Sequence, residues 1–65
     1  MSEDLQFFSI GHLTPDLQAV VRPFGDAARY LDENVPDNWQ RKLAMQKLIE
    51  AKDCAVRAII LGRVP

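Results

Sequence analysis

The sequence predicts an all-α protein: a short N-terminal arm plus an antiparallel two-helix hairpin, assembled as a homo-oligomer. Apolar residues recur at spacings of three and four in two segments, residues 14–33 and 37–61. Val35-Pro36 separates the segments, and the residue before a proline avoids the helical region, so a tight link is expected there. The second segment is apolar around more of its circumference than one neighbouring helix covers, which favours partner subunits.

The first 12 residues are predicted to form an arm. They begin polar and then present Phe7, Phe8 and Ile10 before Gly11, without a clear helical period. The arm is therefore expected to pack on the hairpin or to line a site, and not to form a helix with a clear period.

The first helix is predicted over residues 14–33. Thr14 is a favourable N-cap residue, and Pro15 suits the first helical position. Pro23 removes a backbone donor inside this segment, so we expect a first helix that is kinked near Pro23, or briefly broken within residues 19–25. The apolar face is formed by Leu17, Val20, Val21, Phe24, Ala27, Ala28 and Leu31.

The second helix is predicted over residues 37–61, with Asp37 as N-cap, Gln40 at capping-box spacing and Gly62 as the stop. Its apolar residues cover roughly 260° of the circumference. The broad face consists of Leu43, Ala44, Leu48, Ala51, Cys54, Ala55, Ala58 and Ile59. The narrow stripe beside it consists of Met45, Ile49, Val56 and Ile60. We expect the broad face to close the hairpin and the narrow stripe to contact partner subunits.

Size and composition restrict the function. The 65 residues form one domain, 1–65, and chains of this size usually need a disulfide, a metal or partner subunits for stability. One cysteine and one histidine provide neither an internal disulfide nor a zinc site, so oligomerisation remains and no cofactor is expected. The net charge of −1 argues against binding a nucleic acid polymer. No signal peptide or membrane-spanning run is evident, which indicates a cytoplasmic protein without a membrane partner.

An enzyme is the class of function with the least support. The sequence has no glycine-rich phosphate loop, no metal-ligand set and no paired acid and base, and His12 has no nucleophile nearby. A small oligomeric interaction or regulatory module that binds a protein through the narrow stripe is an alternative without a nucleotide ligand. A DNA-binding helix-turn-helix is disfavoured because the second helix is mostly apolar.

Three segments carry a resemblance to a known family: Asn34-Val35-Pro36-Asp37, Gln40 to Lys52 and Ala55 to Ile59. They resemble the helical-hairpin domain that phage anti-CBASS and anti-Thoeris sponges share, and the resemblance covers residues 13–61. It implies a homo-hexamer that binds cyclic dinucleotides, and possibly cyclic trinucleotides, without cleaving them, and so blocks CBASS immune signalling in the bacterial cytoplasm. A sponge for cyclic ADP-ribose isomers, of the anti-Thoeris type, is the alternative within this family.

The resemblance also implies ligand-binding residues. Phe8 is the candidate for stacking on a base, Arg22 for a phosphate, and Arg57 for a separate cyclic-trinucleotide pocket. Each residue has a structural alternative: Phe8 staples the arm, Arg22 is a solvated surface charge, and Arg57 pairs with Asp53 or Glu50.

Four further residues are expected to have structural roles. Trp39 is predicted to pack over the hairpin connection, and Cys54 to be a small buried residue. Arg41 and Lys47 are predicted to tie the hairpin or its neighbours together.

Overall fold

The computed structural model describes residues 3–63, which form an all-helical hairpin preceded by a short arm. A 3-10 helix spans Glu3–Phe8, α1 spans Pro15–Asn34, and α2 spans Trp39–Gly62. No strand occurs within these described residues, which confirms the predicted all-α class and the order of the elements. Residues 1, 2, 64 and 65, which belong to the predicted domain, lie outside the described residues.

The arm contains more regular structure than the sequence suggested. Glu3–Phe8 forms a 3-10 helix, whose bond from Ser9 N to Gln6 O measures 3.2 Å. A turn follows, in which Leu13 N donates to Ile10 O at 3.0 Å. This segment agrees with the expected arm without a clear helical period, because short 3-10 segments need only i to i+3 bonds and show no 3.6-residue period.

α1 runs without interruption through Pro23, so the expected break within residues 19–25 does not occur. A kink near Pro23 stays a prediction. Thr14 occupies the N-cap position, as expected, but its hydroxyl donates to Asp16 Oδ1 at 2.6 Å and does not accept a backbone N–H. At the other end Val35 N donates to Leu31 O at 3.0 Å and closes the last turn.

α2 begins two residues later than predicted. Its N-cap is Asn38, whose side chain accepts from Arg41 N at 3.0 Å, so the assignment of Asp37 as N-cap was wrong. Gly62 is the last helical residue and not a stop in the left-handed conformation, since no described glycine has a positive φ. The C-cap is Arg63, whose guanidinium also pairs with Asp16 at the start of α1.

Arg41 closes the hairpin at the connection. Its Nη1 donates to the carbonyl oxygens of Asp32 at 3.1 Å and Val35 at 3.0 Å, and its Nη2 pairs with Asp37 at 2.9 Å. These bonds satisfy carbonyls at the end of α1 that have no helical partner. The predicted structural role of Arg41 is confirmed.

The core lies where the arm and the two helices meet. Phe8, Ala28 and Met45 are buried, with 6%, 0% and 2% of their surface exposed. Partly buried apolar residues surround them: Leu5, Phe24, Leu31, Leu48 and Ile49. One arm residue therefore completes a cluster to which each helix contributes one buried residue, and α1 buries Leu17 and Val21 as well.

The structure reverses the expected use of the two apolar faces of α2. The narrow stripe faces α1: Met45 is buried, and Ile49 and Val56 are partly buried. Most of the broad face is exposed instead, namely Leu43, Ala44, Ala51, Cys54, Ala58 and Ile59. The narrow stripe therefore packs against α1 from Met45 to Val56, while its last member, Ile60, stays 46% exposed.

Two single-residue expectations are wrong. Cys54 is exposed because it lies on the broad face, and Trp39 is 71% exposed and does not cover the hairpin connection. Arg41 already fills that connection. None of the described helices combines the length and the apolar character that crossing a bilayer requires.

Candidate functional site

Two concave regions lie beside the arm. The arm pocket has a volume of about 380 Å³ and lies between the arm and α1. It is lined by Leu5, Phe8, Ser9, Ile10, Arg22, Gly25, Asp26 and Arg29. The hairpin pocket has a volume of about 280 Å³ and lies between the end of the arm and the two helices. It is lined by His12, Leu13, Val21, Lys52, Asp53, Val56 and Arg57.

Gly25 allows the arm to approach α1 at the arm pocket. A Cβ atom at this position would lie 3.4 Å from Phe8 Cβ and 3.6 Å from an Nη atom of Arg29. The absent side chain thus leaves room between Phe8 and the two arginines of the pocket. The wall formed by α1 is polar, whereas the arm contributes mostly apolar groups.

The two arginines of the arm pocket have different partners. Arg29 forms an ion pair with Asp26, one turn earlier in α1. Among the described residues, Arg22 has no hydrogen-bond or ion-pair partner, and its side chain is exposed. A guanidinium without a protein partner keeps all of its donors available for an anion.

Phe8 lines the arm pocket from the core side. Only 6% of its surface is exposed, because its ring packs among the core residues. Lys52 Nζ lies 5.9 Å from the ring centroid, within the range of a cation–π contact. The structure therefore gives Phe8 the stapling role, the alternative named for it above, while stacking on a base stays a prediction.

The hairpin pocket brings together three basic side chains and one acidic side chain. Lys52 Nζ pairs with Asp53 Oδ1 at 2.5 Å, so the acid that was expected to pair with Arg57 is already engaged. Arg57 Nε donates to the Asp53 backbone carbonyl at 3.3 Å. The remaining donors of Arg57 are available to a ligand, and His12 contributes a third basic group.

Gln18 fixes the part of the arm that separates the two pockets. Its Nε2 donates to the carbonyl oxygens of Ile10 at 3.1 Å and of Leu13 at 3.0 Å. Ile10 lines the arm pocket and Leu13 lines the hairpin pocket. One α1 side chain thereby positions a wall of each pocket.

The three candidate residues are thus divided between the pockets. Phe8 and Arg22 share the arm pocket, and Arg57 lies in the hairpin pocket. Sequence reasoning missed the other contributors: His12, Gln18, Arg29 and Lys52. Lys52 carried a signal, because it lies between Ile49 and Val56 on the face that packs against α1, an unusual place for a lysine without a role.

Both pockets combine charged and apolar side chains, and each contains one ion pair, Arg29–Asp26 or Lys52–Asp53. Basic groups stand beside apolar walls, and no group of three or more His, Cys, Asp or Glu residues that could hold a metal occurs in the part of the chain described. Comparison with protein-family models, with curated proteins and with solved structures found no match to this chain.

Gly25→Ala is expected to stabilise the protein. The new Cβ makes ordinary van der Waals contact with Phe8, and alanine in a helix interior is favoured over glycine by about 0.5–1 kcal/mol. The melting temperature should rise by several degrees, measured by circular dichroism at a fixed protein concentration. Gly11→Ala, outside the helices and with open space around the new Cβ, is the matched control. A lower melting temperature for Gly25→Ala would mean that Phe8 packs more tightly on α1 than these distances indicate.

Proposed function

We propose that this protein is an anti-defence sponge of the phage anti-CBASS type, which sequesters cyclic oligonucleotide second messengers in the bacterial cytoplasm without cleaving them. Several copies, six in the family that the sequence resembles, would supply repeated pockets. The observation that carries the proposal is the division of the basic side chains between two separate pockets, with Arg22 in one and Arg57 in the other.

Phosphodiester recognition suits the groups available in each pocket. A guanidinium donates two parallel hydrogen bonds to one phosphate, and such charge-assisted bonds are about twice as strong as neutral ones. Arg22 is free of protein partners among the described residues, and Arg57 uses only Nε within its helix. A few such groups, repeated by the symmetry of an assembly, hold a small anion without making the chain basic.

In this proposal the base stacks on arginine side chains and not on Phe8, the residue that the sequence indicated. Because the Phe8 ring is buried, the flat groups that remain exposed at the arm pocket are the guanidinium planes of Arg22 and Arg29. Bases stack on arginine planes as well as on aromatic rings. The apolar arm residues Leu5 and Ile10 then exclude water from one side of the ligand.

The decisive experiment is a calorimetric or thermal-shift panel of cyclic dinucleotides, cyclic trinucleotides and cyclic ADP-ribose isomers. A ligand that binds only the folded protein raises the melting temperature, by an amount that corresponds to about 2.7 kcal/mol at a hundred times the Kd. The bound nucleotide should be recovered intact by chromatography. Absence of any binding at micromolar concentration would refute the proposal, and binding of cyclic ADP-ribose isomers alone would assign the anti-Thoeris type.

Two arginine variants separate the pockets. Arg22→Ala should weaken cyclic-dinucleotide binding, and Arg57→Ala cyclic-trinucleotide binding, by about 10- to 100-fold each, as expected for one charge-assisted contact. Lys42→Ala, an exposed cation in neither pocket, is the matched control. The melting temperature of each variant without ligand shows whether folding is affected. If both arginine variants bind every nucleotide as the wild type does, neither pocket is the binding site.

A further inference from the structure

α2 presents an exposed surface that the hairpin does not use. We define the outer face of α2 as Ala44, Lys47, Ala51, Cys54, Ala58 and Leu61. All six are exposed, and Leu61 retains 70% of its accessible surface. This face is directed away from Met45, which packs against α1. It contains four of the six exposed residues of the broad face, together with Lys47 and Leu61.

The spacing on the outer face is that of a coiled-coil seam. Alanines recur every seven residues at 44, 51 and 58, and a second row, also at intervals of seven, consists of Lys47, Cys54 and Leu61. These rows correspond to the a and d positions of a heptad, which alternate along the seam between two helices. The seam covers about 26 Å at 1.5 Å per residue. Alanine in every a position allows the two backbones to come close.

Charges beside the seam select one orientation. Glu50 and Arg57 lie seven residues apart on the same edge, at the two g positions. In an antiparallel pair of α2 helices, g positions face g positions, so Glu50 of each copy lies opposite Arg57 of the other. The two ion pairs form together because the arrangement is two-fold symmetric. In a parallel pair the same residues would face Ala55 and Gly62, which carry no charge.

The same antiparallel register matches side-chain sizes. Leu61 lies opposite Ala44 of the second copy, and Ala51 lies opposite Cys54. Large residues against small ones fill a seam without voids. Lys47 lies opposite Ala58, where its aliphatic stem packs and its ammonium group reaches solvent.

We propose that the outer face of α2 binds the outer face of a second copy of this chain in antiparallel orientation, with Glu50 opposite Arg57 and Ala51 opposite Cys54. This contact is one interface of the assembly that the proposed function requires, and its formation does not need a bound nucleotide. Arg57 keeps further N–H donors for the hairpin pocket when one carboxylate pairs with it. The pairing therefore places two hairpin pockets beside one shared interface.

Orientation is tested by cysteine cross-linking without nucleotide. In a Cys54→Ala background, Ala44→Cys and Leu61→Cys are made as two separate proteins. A disulfide needs Cα atoms within about 7 Å, so the mixture of the two proteins should cross-link under mild oxidation and neither protein should do so alone. Gln46→Cys in the same background, beside the seam but exposed, measures chance collision. Cross-linking of each protein with itself, or of the mixture no faster than the Gln46→Cys control, would overturn the proposal.

Register is tested by exchanging charges and measuring the dimer dissociation constant by sedimentation equilibrium. Glu50→Arg and Arg57→Glu should each weaken association about tenfold or more, since each replaces two attractive pairs by two repulsive ones. The double variant should restore it. Ala51→Arg, in the centre of the seam, should abolish association while helicity stays that of the wild type, because its side chain is exposed in the single hairpin. A double variant that associates as weakly as the single variants would refute this register. That result would not decide the proposed function, which the nucleotide-binding panel tests independently.

Discussion

Met45→Ala is expected to remove a large part of the free energy of unfolding. Met45 is 2% exposed and joins the buried Phe8 and Ala28 in the cluster that holds the arm and both helices together. Truncating a buried methionine costs about 2–5 kcal/mol, through lost transfer free energy and the cavity that remains. A chain of this length has a total of about 3–10 kcal/mol, at the usual 0.05–0.15 kcal/mol per residue. We therefore expect Met45→Ala to melt at least about 10 °C lower, or to be unfolded at 25 °C.

The control for this prediction is Met45→Leu. It conserves the volume of the side chain, and such exchanges usually cost less than about 1.5 kcal/mol. The two variants should be compared by chemical denaturation at one protein concentration, because the apparent stability of any self-associating protein depends on its concentration. If Met45→Ala and Met45→Leu prove equally stable, Met45 is not a core residue and another face of α2 packs against α1.

Arg41→Ala is expected to have the second largest effect. The change leaves the carbonyl oxygens of Asp32 and Val35 without a donor and removes the ion pair with Asp37. The guanidinium is mostly buried, with 15% of its side chain exposed, so solvent replaces these bonds poorly. Because a hydrogen bond to a charged group contributes about 1.5–3 kcal/mol, we expect a loss of about 2–3 kcal/mol in total.

Arg41→Lys and Lys42→Ala distinguish the causes of that loss. Lysine keeps the charge but lacks the planar group that reaches both carbonyls and a carboxylate, so its stability should be intermediate. Lys42 is the exposed neighbour of Arg41, and its removal should cost less than about 0.5 kcal/mol. Full stability of Arg41→Lys would show that the charge, and not the geometry of the clamp, holds the connection.

Much of the fold was predictable because it depends on local signals. The three-and-four periodicity gave α1 and α2 to within two residues at each end, and Val35-Pro36 gave the connection. The capping residues were less predictable. Asp37 and Asn38 are both good N-caps; in the structure Asn38 accepts from Arg41 N, while the Asp37 carboxylate pairs with the Arg41 side chain.

The candidate site was predictable only in part. Arg22 and Arg57 were identified by resemblance, and each lies in a pocket lined with other basic groups. Lys52, Arg29 and Gln18 were not identified, because their roles depend on where the arm lies. Gln18 contacts two carbonyls five and eight residues earlier in the chain, and no helical or strand periodicity signals such a contact.

The amino-acid sequence by itself determined that α2 is apolar on more than one side. Only the tertiary structure decided which side closes the hairpin. Met45, Ile49 and Val56 pack inward because the single chain offers one partner surface, on α1 and the arm, and the larger side chains fill it best. The alanine-rich outer face is left over, since small side chains bury little apolar area against α1 and allow a closer approach of a second helix. The periodicity of the sequence shows how many faces of α2 are apolar. Which of these faces is buried in the hairpin depends on the surface that α1 and the arm present to it.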